Sequence, residues 1–221
     1  MSRAQRAGFR PRPTDLVIAT TNPAKAERLR WVFDGLGLRL HDMPTEHGPA
    51  PHETGRSFRE NAELKACFWS DRLGGLATAS DGGIAIPALG PNWDAIRTAR
   101  AAGPSADDVA RARHLLGLAR GLSGDQRRVY WSEGLALARD GRPVASWQAQ
   151  GTEAFLVEEF DPNDLRPGFW AASLCFIPSL GTTLASVPEQ HLPRADPTWS
   201  RLRRQVRAFF ESGQGDTDRG G

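Results

Sequence analysis

The chain has 221 residues, with 28 Lys plus Arg against 26 Asp plus Glu and a formal net charge of +2, which is length enough for one sizeable core or two smaller ones. So even a balance gives no footing for a nucleic-acid or membrane surface, and no apolar run nears the roughly 18 residues of a membrane span. Cys67 and Cys175 stand too far apart for a CxxC metal site and are too few for a disulfide framework, and residues 1–13 lack an apolar signal segment, so a cytoplasmic protein is expected.

The Arg-rich residues 1–13 and the Gly/Asp-rich residues 212–221 are expected to be disordered tails on a single domain spanning 14–211. The first element is the apolar run Leu16-Val17-Ile18-Ala19, which predicts a strand. Thr20-Thr21-Asn22 follows as a tight loop, and Pro23 opens a segment in which Leu29, Val32, Phe33 and Leu36 recur at helical spacing. Asn22 is suited to cap that helix, Pro23 fits its first position, and Gly35 and Gly37 supply the stop. A strand running into a helix N-terminus leaves free N–H groups and the positive dipole end beside one crevice, where an anion is favoured. Lys25 in the first turn opposes the dipole. It is either a solvated surface lysine or the partner of a strong anion. Lys25 and Lys65 are the only lysines in a chain whose other strong bases are all arginine, which marks both as candidates for places needing a compact charge.

Residues 38–40 alternate like a short strand, and residues 44–55 have loop composition. Ser57-Phe58-Arg59-Glu60 has the form of a capping box and predicts a helix to about Leu73. Asn61 and Lys65, four apart, share a face of it, with Glu60 on the flank; Glu60 is either a capping glutamate or a ligand. Residues 76–79 read as a brief strand. Ser80-Asp81-Gly82-Gly83 then predicts a turn before a second apolar run, 84–86, either an ordinary Asp-Gly turn or one that brings Asp81 to a crevice. A helix is predicted over 105–120, with Val109, Leu115, Leu116 and Leu118 inward. Two long strands, 128–139 and 143–158, are joined at Asp140-Gly141, and Glu133 in the first is expected to face solvent or a partner. Pro167-Gly168-Phe169-Trp170 turns the chain into the run 174–177, and a last helix is predicted from about Asp196 to Phe210.

Together these stretches resemble the inosine/xanthosine triphosphate pyrophosphatase family. Thr20-Thr21-Asn22-Pro23-Ala24-Lys25 is similar to the family's T-G-N-x-x-K, with Thr21 where glycine is usual. Glu53-Thr54-Gly55, Phe58, Glu60-Asn61-Ala62 and Lys65-Ala66 match its second block. Ser80-Asp81-Gly82-Gly83-Ile84 resembles D-D-S-G-L with the first acid absent. The resemblance implies an elongated α/β fold with a mixed, twisted central sheet, flanking helices and two lobes around a cleft, assembled as a homodimer on the half that holds the Trp-bearing hairpin. It also implies cleavage of a nucleoside triphosphate to monophosphate and pyrophosphate with Mg²⁺. In that scheme Glu60 and Asp81 hold the metal, Asp81 is the general base, and Thr20, Thr21, Asn22, Lys25, Asn61, Lys65, Gly82 and Phe169 bind substrate.

The second half departs from the family pattern. G-F-G-Y-D-P becomes Gly168-Phe169-Trp170-Ala171-Ala172-Ser173, a lysine becomes Thr182, and S-H-R falls on Asp196-Pro197-Thr198. Polar partners for a base are missing there, which implies altered base specificity. Two functions remain open on the sequence: a pyrophosphohydrolase of divergent base preference, or a catalytically degenerate scaffold that binds a nucleotide or a protein.

Overall fold

The computed structural model describes residues 12, 14–44, 48–103, 105–188, 191 and 197–213. Most of both expected tails lies outside the described residues, as does Asp196, the expected start of the last helix. Strand β1 (Asp15–Ile18) is buried throughout, as its apolar run requires. Asn22 caps α1 (Pro23–Phe33) by accepting from Lys25 N at 3.3 Å. The helix ends before Leu36: Asp34 leaves helical dihedrals, and Gly35 and Gly37 take φ values of +76° and +73°. β2 (Arg39–Asp42) runs parallel to β1, with Asp15 beside Arg39 and Ile18 beside Asp42.

Ser57 caps α2 (Phe58–Leu73), its hydroxyl accepting from Glu60 N at 3.1 Å, but the reciprocal bond of a full capping box is replaced by one from Arg56 N to Glu60. Instead of two strands flanking a turn, β3 (Leu76–Ala85) is continuous through Asp81-Gly82-Gly83. Neither of these glycines takes a positive φ. They are required by crowding: an added Cβ would lie 1.9 Å from Glu133 Oε2 at Gly82 and 2.5 Å from Ala95 O at Gly83. The sequence signal was therefore of close approach, and the expected turn is absent. β3 is parallel to β1, with Leu16 beside Leu76 and Ile18 beside Thr78.

α3 (Asp108–Leu118) is shorter than expected because Asp107 caps it, accepting from Ala110 N at 2.7 Å. Only Ala112 and Leu115 of the helix proper are fully buried, with Val109, Leu116 and Leu118 half-buried. β4 (Arg128–Arg139) and β5 (Arg142–Leu156) form the expected hairpin, its two-residue turn taking positive φ at Asp140 and Gly141. Glu133 is buried within β4 and does not face solvent. α4 (Trp170–Ser173) leads to β6 (Cys175–Ile177), antiparallel to β5, and β7 (Thr182–Thr183), antiparallel to β6. α5 (Pro197–Glu211) is the last helix. The strand order is β2-β1-β3-β4-β5-β6-β7, a mixed, twisted open sheet with flanking helices.

The chain divides into two compact units: one takes in residues up to Asp81, Gly134–Gln148 and those from Leu202, the other Gly82–Glu133 and Ala149–Arg201. In the first, right-handed connections carry α1 leftward from β1 to β2 and α2 back across β1 to β3, which places the two helices on opposite faces. Val17, Ala19, Ala77, Ala79, Ala136 and Ala138 meet Ala62, Ala66 and Trp69 of α2, and these small side chains let the helix lie close. Gly134 serves the same approach, since a Cβ there would lie 2.4 Å from the Phe58 carbonyl carbon. On the other face α5 is tied to α1: Arg207 donates to Asp34 O at 2.7 Å, Arg203 donates to Trp31 O, and Phe33 and Phe210 meet edge to face. The second unit has its own core, built on Ile84, Trp93, Leu115, Trp170 and Leu174 among others. Trp93 Nε1 donates to Ile84 O at 2.7 Å, and buried Arg127 donates to Leu156 O at 2.8 Å and Ala119 O at 3.2 Å, which satisfies the indole of Trp93 and the guanidinium of Arg127 within this core.

Candidate active site

Asp81 follows Ala77 and Ala79 on the face of β3 that α2 covers, and α2 presents Asn61 and Lys65 toward it one turn apart. Lys65 Nζ donates to Asp81 Oδ1 at 2.7 Å, and Asn61 Nδ2 donates to Asp81 Oδ2 at 3.1 Å. The Asn61 amide has its orientation set from behind, because its Oδ1 accepts from Gly55 N at 2.8 Å. Lys65 Nζ also reaches Glu53 Oε1 at 3.2 Å. The side chains of Asp81, Lys65 and Glu53 are 11%, 15% and 25% exposed, so they are screened yet reachable. One ammonium thus serves two carboxylates, leaving a net negative charge beside an amide that can only donate to Asp81.

Of the residues expected at a site, Asp81, Asn61 and Lys65 come together. Glu60 is exposed, and its Oε2 accepts from Arg56 N at 2.7 Å, one residue ahead of the Ser57 cap. Glu53, which the sequence placed in a motif without a role, stands on the shared ammonium. Its only signal was an acid before Thr-Gly ahead of a capped helix. Thr20, Thr21, Asn22 and Lys25 form the loop and first turn beyond β1, where Asn22 N donates to Thr20 Oγ1 at 3.1 Å. Thr21 takes no positive φ, so the backbone there does not demand glycine. Parallel register sets this loop beside the first half of β3: Ala19 N donates to Thr78 O at 2.8 Å, three residues before Asp81. β1 lies between β2 and β3 in the sheet, and this loop leaves its carboxyl end at the level of Thr78, on the approach to Asp81. Gly82 and Phe169 belong to the second unit. Gly82 lies against Glu133, and Phe169 is buried edge to face with Trp131, ring centroids 5.1 Å apart.

Among the described residues no group of three or more His, Cys, Asp or Glu side chains could hold a metal ion. Two carboxylates near one ammonium are nonetheless a hard-oxygen set suited to Mg²⁺, which takes one or two carboxylates and fills its remaining positions with phosphate and water oxygens. Glu53 and Asp81 therefore fit the metal that the family resemblance implies.

The fold and this cluster define an α/β protein with a mixed, open, twisted sheet and a polar site formed by Asp81 of β3 against α2. Residues 16–190 match the Ham1 family, and the chain belongs to that family. The dITP/XTP pyrophosphatase of Geobacillus kaustophilus is 33% identical over 201 residues, covering 85% of this chain and 95% of the relative. That of Listeria monocytogenes is 30% identical over 178 residues, covering 79% and 84%. Among solved structures, a HAM1 protein from Coxiella burnetii superposes with a TM-score of 0.72 at 23% identity, covering 90% of this chain and 98% of its own, which shows the fold.

Proposed function

We propose that this chain is a nucleoside triphosphate pyrophosphohydrolase, converting a nucleoside triphosphate and water to the monophosphate and pyrophosphate, with a base preference of its own. The observation that carries this is the Asp81 carboxylate, held by Lys65 on one oxygen and by Asn61 on the other. Relatives called dITP/XTP pyrophosphatases support the reaction class.

In this scheme Asp81 accepts the proton of the attacking water, and its two fixed hydrogen bonds hold the remaining lone pairs in place for it. Lys65 and Lys25 offset the charge of the phosphates, the loop Thr20-Thr21-Asn22 and the α1 N-terminus hold phosphate oxygens, and Asn61 aligns Asp81. Glu53 and Asp81 would hold Mg²⁺, with the acid beside Asp81 moved from Glu60, expected from the sequence, to Glu53 on the strength of the shared ammonium. When bound, the metal would neutralise charge on the triphosphate. The protein works as a homodimer in the cytoplasm under the same proposal, and its mass in solution tests the first of these. Among the described residues no helix is long and apolar enough to cross a membrane.

The base preference rests on residues 169–173. Phe169, Trp170, Ala171, Ala172 and Ser173 are all buried in the second unit, and the Ser173 hydroxyl is spent on Asp164 O at 3.2 Å. Beyond the indole N–H of Trp170 the segment offers a base no unspent polar side chain, so discrimination through paired hydrogen bonds is weak. A panel of nucleoside triphosphates with Mg²⁺ should release pyrophosphate from several of them at comparable rates, and Asp81→Asn should lower that rate about 10³-fold. Stabilisation by nucleotides with no release from any would favour the catalytically degenerate scaffold instead.

A further inference from the structure

Ser80 lies on β3 between Ala79 and Asp81 and is 5% exposed, and its hydroxyl has no hydrogen-bond partner among the described residues. A buried hydroxyl left unbonded is unfavourable, and a group that arrives with a ligand is one physical reason for a native chain to keep it. Strand alternation sets its direction. Ala77 and Ala79 pack toward α2 and Asp81 continues to Asn61 and Lys65, so Ser80 projects from the opposite face, the one α1 covers. Parallel register sets its height. Ile18 is level with Thr78 and Ala19 N donates to Thr78 O at 2.8 Å, after which the chain turns, Thr20 N donating to Ile18 O at 3.0 Å, so the loop beyond β1 leaves the sheet beside the Thr78–Ser80 stretch of β3. Thr20 opens the loop that ends in the Asn22 cap, and α1 is an 11-residue helix whose first turn points its N–H groups back at that loop.

We propose that Ser80 is a substrate-binding residue whose hydroxyl donates to an oxygen of the polyphosphate held at the N-terminus of α1. The assignment rests on the pyrophosphohydrolase proposal and gives it a sign at one position. Residue 80 faces an anion, where a hydroxyl can donate and a carboxylate can only accept. Asp81, on the other face of the same strand, takes the water and metal side. The strand then divides the two tasks between neighbouring residues: odd positions meet acid–lysine chemistry, and even ones meet phosphate. A hydrogen bond from a neutral donor to a charged oxygen is worth about tenfold in affinity.

Inorganic tripolyphosphate, without metal, is the probe, and the thermal stability of the full chain is the readout. Wild type should be stabilised by it. Ser80→Ala should melt no lower than wild type without ligand, because an unsatisfied hydroxyl has gone, and should need about tenfold more tripolyphosphate for the same shift. Ser80→Asp should need still more. With nucleoside triphosphate and Mg²⁺, Ser80→Ala should raise KM with kcat changed less than about twofold, a split that loss of folding would not produce. An unchanged tripolyphosphate requirement in Ser80→Ala would overturn the assignment. So would a lower melting temperature of that variant without ligand, which would mean that the hydroxyl is bonded inside the protein. Tighter binding by Ser80→Asp would overturn it as well, since a carboxylate cannot donate to the phosphate oxygen. Absence of both a wild-type shift and pyrophosphate release would bring down the pyrophosphohydrolase proposal itself, and that outcome is distinct from the other three.

Discussion

Lys65 can be separated from its partners by a double-mutant cycle, with Lys65→Met, Asp81→Asn and the pair together, in protein free of metal and nucleotide. At the 2.7 Å separation of Lys65 Nζ and Asp81 Oδ1, two unit charges attract by about 6 kcal/mol at an effective dielectric constant of about 20. Desolvation of both groups offsets much of that, since their side chains are only 15% and 11% exposed, and about 2 kcal/mol of net coupling should remain. Lys65→Met alone should cost more, about 3 kcal/mol, because it strips Asp81 and Glu53 of their common cation and leaves two carboxylates facing each other. With a urea dependence of about 2 kcal/mol per molar, its unfolding midpoint should fall by about 1.5 M. Asp81→Asn keeps the shape and removes one charge, so the double variant should be more stable than the sum of single losses predicts by about 2 kcal/mol. Urea titrations followed by tryptophan fluorescence measure all four corners. A coupling below about 0.5 kcal/mol, the level at which independent sites already scatter, would refute the account of a desolvated pair.

Gly82→Ala should destabilise the protein by about 1–3 kcal/mol, since the new Cβ would fall 1.9 Å from Glu133 Oε2 and 2.9 Å from Ser132 O, and only the first of these can swing away. Denaturant midpoints for Gly82→Ala and for Gly82→Ala with Glu133→Ala measure it, and a fully tolerated alanine in the otherwise unchanged chain would contradict the crowding. Asp15 is held below the usual carboxylate range by the Arg12 N–H, against the opposing effect of burial, with further help from His41 and Arg39. A carboxyl group with a depressed folded value contributes stability that is complete above its unfolded value, about 3.9, and is lost as pH falls through the folded one. Wild type should therefore exceed Asp15→Asn in stability at neutral pH, with the gap closing below about pH 4. A gap that stays constant from pH 7 to 3 would contradict this.

What the sequence made legible was what local chemistry determines. The Asn22 cap with Pro23, the Ser57 cap and the Asp140-Gly141 turn each depend on residues within a few positions of one another, and each stands where expected. β3 was misread because two glycines after an aspartate have the local form of a turn. The crowding that requires them comes from Glu133 and Ala95, and no window of neighbouring residues contains both sides of such a contact. Glu133 in turn read as facing solvent or a partner because a buried acid has no local signature. Glu53 was passed over for the same reason, as its meaning lies in an ammonium 12 residues away. Asn61 and Lys65 could be placed on one helical face from spacing alone, but their meeting with Asp81 depended on β3 returning alongside β1, which is a matter of topology.

The Asn61 side chain is flat and has two ends, and Gly55 holds one of them. A Cβ at Gly55 would sit 2.6 Å from that oxygen, so even the smallest side chain there would press on the amide and tilt it. Such a tilt would travel, by way of a single rigid plane, to the oxygen of Asp81 at the far end. Under the proposed reaction the loop ahead of α2 would thus work as a lever on the Asp81 carboxylate, and a residue that need never meet a nucleotide would share in setting where the water's proton goes.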